Sequence, residues 1–396
     1  MTPQEGLAHL AGLSPSSIKM GLERVVVALE KLGNPQTDFP ALHVAGTNGK
    51  GSTCAIAASC LRQRYKTGLY TSPHLVRPNE RIQIDGVEID DDTFGRRIAE
   101  VIAVLGVNHE LTYFEFGTIV AFWHFAQEGV EIAVIETGLG GRLDATTACR
   151  PLVTCVTPID FDHMEYLGHS LAQIAGEKAG IFKPGVPIVL AAQRPEALTA
   201  LDRPGAKLEG RDFFRVPSNE LHLRGAHQQQ NLAVAMACLD ALTRFPLSDE
   251  ERRAGVSQAR WPGRLEEFPG EPPVILDGAH NTSGVEALVK ALDDVYPNRP
   301  VHLVFGVFAD KDSEPMMRRL FPRVDALYLT PVGSPRSKAP QSYVDLARSL
   351  NTNVTVYGGA EAALEAARAR VPSGGIVVIA GSLFLVGQVR GALTRA

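Results

Sequence analysis

The stretch Gly46-Thr47-Asn48-Gly49-Lys50-Gly51-Ser52-Thr53 brings glycines, an ammonium and hydroxyls into one short turn. Glycines let backbone N–H groups curl around a phosphate, and a helix starting there adds the positive end of its dipole. Lys50 would meet the β- and γ-phosphates as a point charge, with Ser52 or Thr53 offering a hydroxyl to Mg²⁺. Thr47, Asn48, Gly49 and Gly51 complete a candidate nucleotide loop. Its spacing departs from the common Walker pattern, because Val44 holds the first glycine position and Gly51 separates Lys50 from the hydroxyls. A generic P-loop NTPase is therefore a poor match, and a ligand-free glycine turn is the plain alternative. The second signal is Glu136, closing the apolar run Ile132-Ala133-Val134-Ile135. A carboxylate at a strand end can bind Mg²⁺ directly or through water. The following Gly138-Leu139-Gly140-Gly141 lacks the G-x-G-x-x-G register, so a Rossmann NAD site there is rejected.

These side chains need a scaffold, and the hydrophobic pattern supplies one. Short apolar runs alternate with helical patterns, as expected of parallel-sheet α/β units. Strands are expected at 41–45, 67–70, 131–136, 152–157 and 187–191. Helices are expected at 52–64, 94–105, 116–127, 171–179 and 228–243. A second series has strands at 274–277, 301–306, 326–330, 353–357 and 376–380. The Pro/Gly-bearing stretch 261–273 reads as a connection. Two domains follow: residues 1–264 form a P-loop-type ATPase domain with a mostly parallel sheet, and 265–396 a smaller Rossmann-like α/β domain. An active site is expected in the cleft between them.

Composition sets limits. The chain has 396 residues, 45% hydrophobic and 21% charged, with a formal net charge of −5. That charge gives no reason to expect a nucleic-acid partner. No apolar run approaches the ~20 residues needed to span a bilayer, so no membrane partner is expected. The N-terminus carries no secretory pattern, and a cytoplasmic monomer is the expectation. Five scattered cysteines form no C-x₂-C pair and suggest small buried residues.

Ten stretches, in order, resemble the folylpolyglutamate synthase/dihydrofolate synthase branch of the Mur-ligase family. They are IKMGLER (18–24), VAGTNGKGST (44–53), YTSPH (70–74), RIQIDG (81–86), YFEFG (113–117), IETGLGGRLDAT (135–146), DHMEYLG (162–168), AGEKAGIFKPG (175–185), WPGRLE (261–266) and LDGAHN (276–281). Thr147 stands where that family usually has Asn. The resemblance implies Mur-ligase architecture and an ATP-dependent carboxylate–amine ligase. Its substrates would be ATP, L-glutamate, dihydropteroate and reduced folates, joined through an acyl phosphate. Three alternatives stay open: an enzyme that only extends folates, a ligase of muramyl precursors, and a nucleotide-binding regulator without ligase activity.

Site roles follow from the same resemblance. Ser72, Glu136 and His163 would hold one or two Mg²⁺ ions with Ser52, replaceable by Mn²⁺, since imidazole is an unusual Mg²⁺ ligand. Lys178 would be carbamylated and join the metal ligands; its plain alternative is a solvated lysine paired with Glu177. Asn231 would contact adenine, Asp277 the ribose, and Arg264 and His280 the phosphates. Leu22, Phe114, Asp144 and Ala145 would form a slot for the pterin, with Asp144 accepting its hydrogen bonds. Arg336 would take the glutamate α-carboxylate in a bidentate pair.

Overall fold

The computed structural model describes residues 1–14 and 17–395. The chain divides into two compact units, residues 1–74, 78–222 and 229–259, and residues 75–77, 223–228 and 260–396. The sequence-based boundary at 264/265 differs from this division: Arg260–Arg264 group with the second unit, as do two short excursions of the chain.

In the first unit the chain runs through α1 (Pro3–Gly12), α2 (Glu23–Lys31), β1 (Ala41–Ala45), α3 (Lys50–Leu61) and β2 (Thr67–Tyr70). Next come β3 (Ile82–Ile84), β4 (Val87–Glu88), α4 (Asp91–Leu105), α5 (Tyr113–Gln127) and β5 (Ile132–Glu136). The unit continues with β6 (Pro151–Val156), α6 (Met164–Leu167), α7 (Leu171–Ala179), β7 (Ile188–Leu190), α8 (Pro195–Leu201) and β8 (Lys207–Leu208). Two further helices follow, α9 (Ala226–Ala241) and α10 (Asp249–Gln258). The sheet order is β4-β3-β2-β5-β1-β6-β7-β8. It is parallel from β2 to β8, with β3 and β4 forming an antiparallel edge.

β1 lies centrally and is buried along its whole length, because Ala-Leu-His-Val-Ala presents side chains to helices on both faces. Glu136 ends β5, paired beside Val44 on β1, so the carboxylate emerges where the glycine loop begins. α3 fits closely because its residues are mostly small: everything from Gly51 to Leu61 is buried. A Cβ on Gly255 of α10 would fall 2.3 Å from the Cys60 Cα, so those helices touch backbone to backbone.

The second unit comprises β9 (Glu266–Phe268), β10 (Val274–Leu276), α11 (Thr282–Val295), β11 (Val301–Phe305), α12 (Ser313–Leu320) and β12 (Ala326–Leu329). It ends with α13 (Val344–Leu350), β13 (Val354–Val356), α14 (Ala360–Arg370), β14 (Ile376–Ala380) and α15 (Leu383–Leu393). Its strands lie in the order β13-β12-β11-β14-β10-β9, parallel except for β9. Among the described residues, no helix is long and apolar enough to cross a membrane.

Candidate active site

The glycine loop leaves β1 and enters α3 under tight steric control. Gly46 has φ 144°, and a Cβ there would strike the Thr157 hydroxyl at 1.9 Å. Gly49, with φ 86°, precedes α3, and a Cβ there would meet the Asn231 side chain at 2.3 Å. Both positions demand glycine for conformation and for space. Thr47 and Asn48 differ from the expected cradle: their N–H groups both donate to the Pro158 carbonyl, at 3.0 and 3.2 Å. The Thr47 hydroxyl bridges the N–H and carbonyl of Asp160. Phosphate-facing N–H groups therefore have to come from the first turn of α3, whose leading donors have no intrahelical acceptor.

Three ionisable side chains converge on this loop. The Lys50 Nζ donates to the Thr47 carbonyl at 3.2 Å and lies 3.9 Å from the Glu136 carboxylate. Glu136 also accepts the Ser72 N–H at 3.1 Å, which places Ser72 beside it. Lys178 projects inward from α7 and donates to the Gly46 carbonyl at 2.8 Å. It is 4% exposed. Burial foremost, then the neighbouring Lys50, pulls its pKa down to about 7, against opposing pulls from Asp162 and Asp144. Glu177 instead pairs with Arg142 at 2.9 Å, so the solvated Lys178–Glu177 alternative does not hold. Adjacent positions on a helix point about 100° apart, and only one of the two can face the loop.

His163 sits at φ 51° ahead of α6, its Nε2 3.8 Å from the Asp162 carboxylate. Ser52 and Thr53 are both buried, and the Thr53 Oγ1 has no hydrogen-bond partner. That orphaned hydroxyl, a hard carboxylate and a second hydroxyl at Ser72 suit Mg²⁺, which binds few protein oxygens and shares substrate phosphates. Among the described residues, no three His, Cys, Asp or Glu side chains group as a metal site on their own.

The expected pterin slot is assembled by α2, α5 and the short helical turn Ala145–Ala148, which pack on one another. Leu22 caps α2. The Phe114 ring tip closely approaches Gly138, where a Cβ would come within 2.5 Å of it, and Ala145 is buried in the adjoining core. Asp144 is held by partners within the chain. One of its oxygens accepts the Gly138 and Leu139 N–H groups, and the other the Thr146 N–H and hydroxyl. These four donors make Asp144 an organiser of the glycine loop after Glu136. Burial raises its pKa, against the pull of these four bonds. The Thr146 hydroxyl spends its proton on Asp144 and so accepts from His43 Nε2 at 2.9 Å. His43 is thereby the Nε2–H tautomer, consistent with an unpartnered Nδ1 and a pKa lowered by burial to about 3. Thr147 donates to the Gly141 carbonyl at 2.6 Å, tying down the same loop.

In the second unit, Asp277 directly follows β10 and accepts the Leu265 and Ala279 N–H groups at 3.0 and 2.9 Å. One acceptor position per oxygen remains for a ribose. Arg264 lies over Gly278, where a Cβ would fall 2.0 Å from its guanidinium. His280 donates from Nδ1 to the Gly278 carbonyl at 2.7 Å. Arg336 is oriented by Asp310 at 2.8 Å and by the Phe308 ring, 4.6 Å from its centroid. Part of its donor fork is thus already engaged.

Models of known families match both units: the Mur ligase middle domain over residues 44–203 and the Mur ligase glutamate ligase domain over 263–383. The dihydrofolate synthase/folylpolyglutamate synthase of Bacillus subtilis is 33% identical, covering 98% of each chain. The chain belongs to the Mur ligase family. Within it, the chain falls in the folylpolyglutamate synthase/dihydrofolate synthase branch. The folylpolyglutamate synthase of Lacticaseibacillus casei is 36% identical over 93% of this chain and 94% of that one. Escherichia coli FolC, solved in complex with DHPP and ADP, superposes with a TM-score of 0.89 at 31% identity. That match covers 100% of this chain and 98% of FolC.

Read as a Mur ligase, the site includes residues that sequence reasoning passed over. Asp160 and Asp162 lie beyond β6, the Asp160 backbone holding the Thr47 hydroxyl and the Asp162 carboxylate acting on Lys178. An acid beyond an apolar strand was the available signal for Asp162.

Proposed function

We propose that this Mur ligase joins L-glutamate to dihydropteroate and to folates, consuming ATP. The observation that carries the reading is the convergence of Lys50, Glu136 and Lys178 on the Gly46–Thr53 loop, in a chain that matches folate ligases end to end. The substrate carboxylate attacks the γ-phosphorus of ATP, giving an acyl phosphate and ADP. The glutamate amine then adds to the carbonyl, and the tetrahedral intermediate expels phosphate and loses a proton. Lys50 neutralises charge on the transferring phosphoryl group, with Arg264 as a second clamp. Asn231 bounds the adenine end of the loop, Asp277 accepts from the ribose, and His280 lies by the phosphates. Glu136, Ser72, Ser52, His163 and a carbamylated Lys178 would hold Mg²⁺. The ion supplies charge neutralisation at the phosphate oxygens. Leu22, Phe114 and Ala145 give the flat apolar faces a pterin requires. Arg336, aimed by Asp310, receives the glutamate carboxylate.

The test offers ATP, Mg²⁺ and glutamate with dihydropteroate in one reaction and tetrahydrofolate in another. Both are expected to yield the glutamated product. Product from tetrahydrofolate alone would restrict the enzyme to chain extension, and product from neither would remove the folate reading.

A further inference from the structure

Two of the motif stretches, IKMGLER and YFEFG, meet through one ion pair. The Arg24 guanidinium reaches the Glu115 carboxylate at 2.7 Å through one terminal nitrogen and at 3.5 Å through Nε. Glu115 is nearly enclosed, its side chain 6% exposed against 24% for Arg24. The carboxylate already accepts the Thr112 N–H at 2.8 Å, in a capping box that starts α5. It therefore cannot swing away without uncapping the helix. The same Arg24 also donates to the Lys19 carbonyl at 3.0 Å, and Lys19 Nζ donates to the Glu110 carbonyl at 3.2 Å. Gly21, at φ 120°, permits the sharp turn between these anchors. The segment from Lys19 to Arg24 is thus closed on itself and stitched at two points to α5 and the residues just before it.

Register gives the stitching its consequence. Leu22 lies two residues before Arg24, and Phe114 one residue before Glu115. Fixing Arg24 on Glu115 fixes the spacing between Leu22 and the Phe114 ring, which rests on Gly138. We infer that Arg24, through Glu115, is a positioning residue that sets the width of the pterin slot. It touches no reacting atom. The inference rests on the proposed function, which makes Leu22 and Phe114 the walls of that slot. α2 and α5 are in contact apart from the pair; the guanidinium fork adds a directional contact that defines their register.

The experiment uses the full chain and measures dihydropteroate binding by pterin fluorescence, steady-state KM for ATP and for dihydropteroate, and thermal melting. Arg24→Ala should weaken dihydropteroate binding and raise its KM about tenfold, leaving KM for ATP within about twofold. Arg24→Lys keeps the charge without the fork and should fall between wild type and Arg24→Ala. Glu115→Gln keeps a capping oxygen but loses the charge, and should raise the same KM severalfold. The double variant should be no worse than Arg24→Ala, because both changes remove one interaction. A uniform rise in both KM values, or a drop in melting temperature with dihydropteroate binding unchanged, would overturn the inference. If Arg24→Ala does not fold, Arg24→Lys and Glu115→Gln decide, and an unchanged KM for dihydropteroate in both overturns it. Wild-type protein that binds no pterin at all would overturn the proposed function, and this inference with it.

Discussion

Lys50→Ala is expected to lower ligation on the order of a thousandfold while the fold survives. The loop is shaped by its glycines, by Pro158 and by Thr47 with Asp160, none of which needs the ammonium. Without substrate, Lys50 only bridges the Thr47 carbonyl and the rim of Glu136. Its charge matters when a phosphoryl group, carrying several negative oxygens, passes between donor and acceptor in a site shielded from water. Losing one preorganised charge there costs several kcal/mol of transition-state stabilisation. Single-turnover ligation beside a melting curve checks this. An unchanged melt with less than about a hundredth of the rate supports the role; more than a tenth of wild-type activity refutes it.

Lys178 gives the second large effect, and one that separates activity from stability. A carbamate forms when a neutral amine attacks CO₂ and releases a proton, and a pKa of about 7 makes that amine available at neutral pH. Lys178→Ala should therefore lose activity by at least a hundredfold, with partial recovery in formate or acetate, whose carboxylates fit the vacated space. The stability consequence runs oppositely. The unfolded lysine keeps its proton up to its ordinary value of 10.5, whereas the folded one releases it from about 7. In that window the unfolded state binds more protons, so stability rises as pH rises from about 7 to 10.5 and falls again on the way down. A shift of this size corresponds to a few kcal/mol, at about 1.4 kcal/mol per pKa unit. Lys178→Met should be inactive yet no less stable at pH 7, although it forfeits the bond to the Gly46 carbonyl. It should also lose this pH dependence of its melting temperature. A variant that keeps the dependence, or a Lys178→Ala that keeps activity, would return Lys178 to a structural role.

What the sequence made legible follows from how local each signal was. β1, β2, α7 and the glycine loop stand where the apolar runs and glycines put them, because burial on both faces and a forced left-handed turn leave little choice. The helices α1 and α2 were not anticipated. Thr2 and Glu5 do form a capping box around Pro3, a local cue that a reading focused on strands overlooked. The edge strands β3, β4 and β9 are short and half-exposed, so no long apolar run announces them. At the site, Lys178 needed tertiary information: nothing in Gly-Glu-Lys-Ala-Gly says which of Glu177 and Lys178 turns inward. Asp144 shows the converse problem. The family resemblance suggested a ligand contact there, and the four donors around it add a loop-organising role that the sequence does not reveal.

The central claim is that a carboxylate is activated by phosphorylation and then captured by glutamate. Dihydropteroate carrying ¹⁸O in its carboxylate, turned over with ATP, Mg²⁺ and glutamate, tests it most directly. Attack of that carboxylate on the γ-phosphorus makes one carboxylate oxygen the bridge of the acyl phosphate, and expulsion leaves it in inorganic phosphate. The account predicts one ¹⁸O per phosphate released, with one phosphate formed for each amide bond. Unlabelled phosphate, or phosphate released without glutamated product, would contradict it.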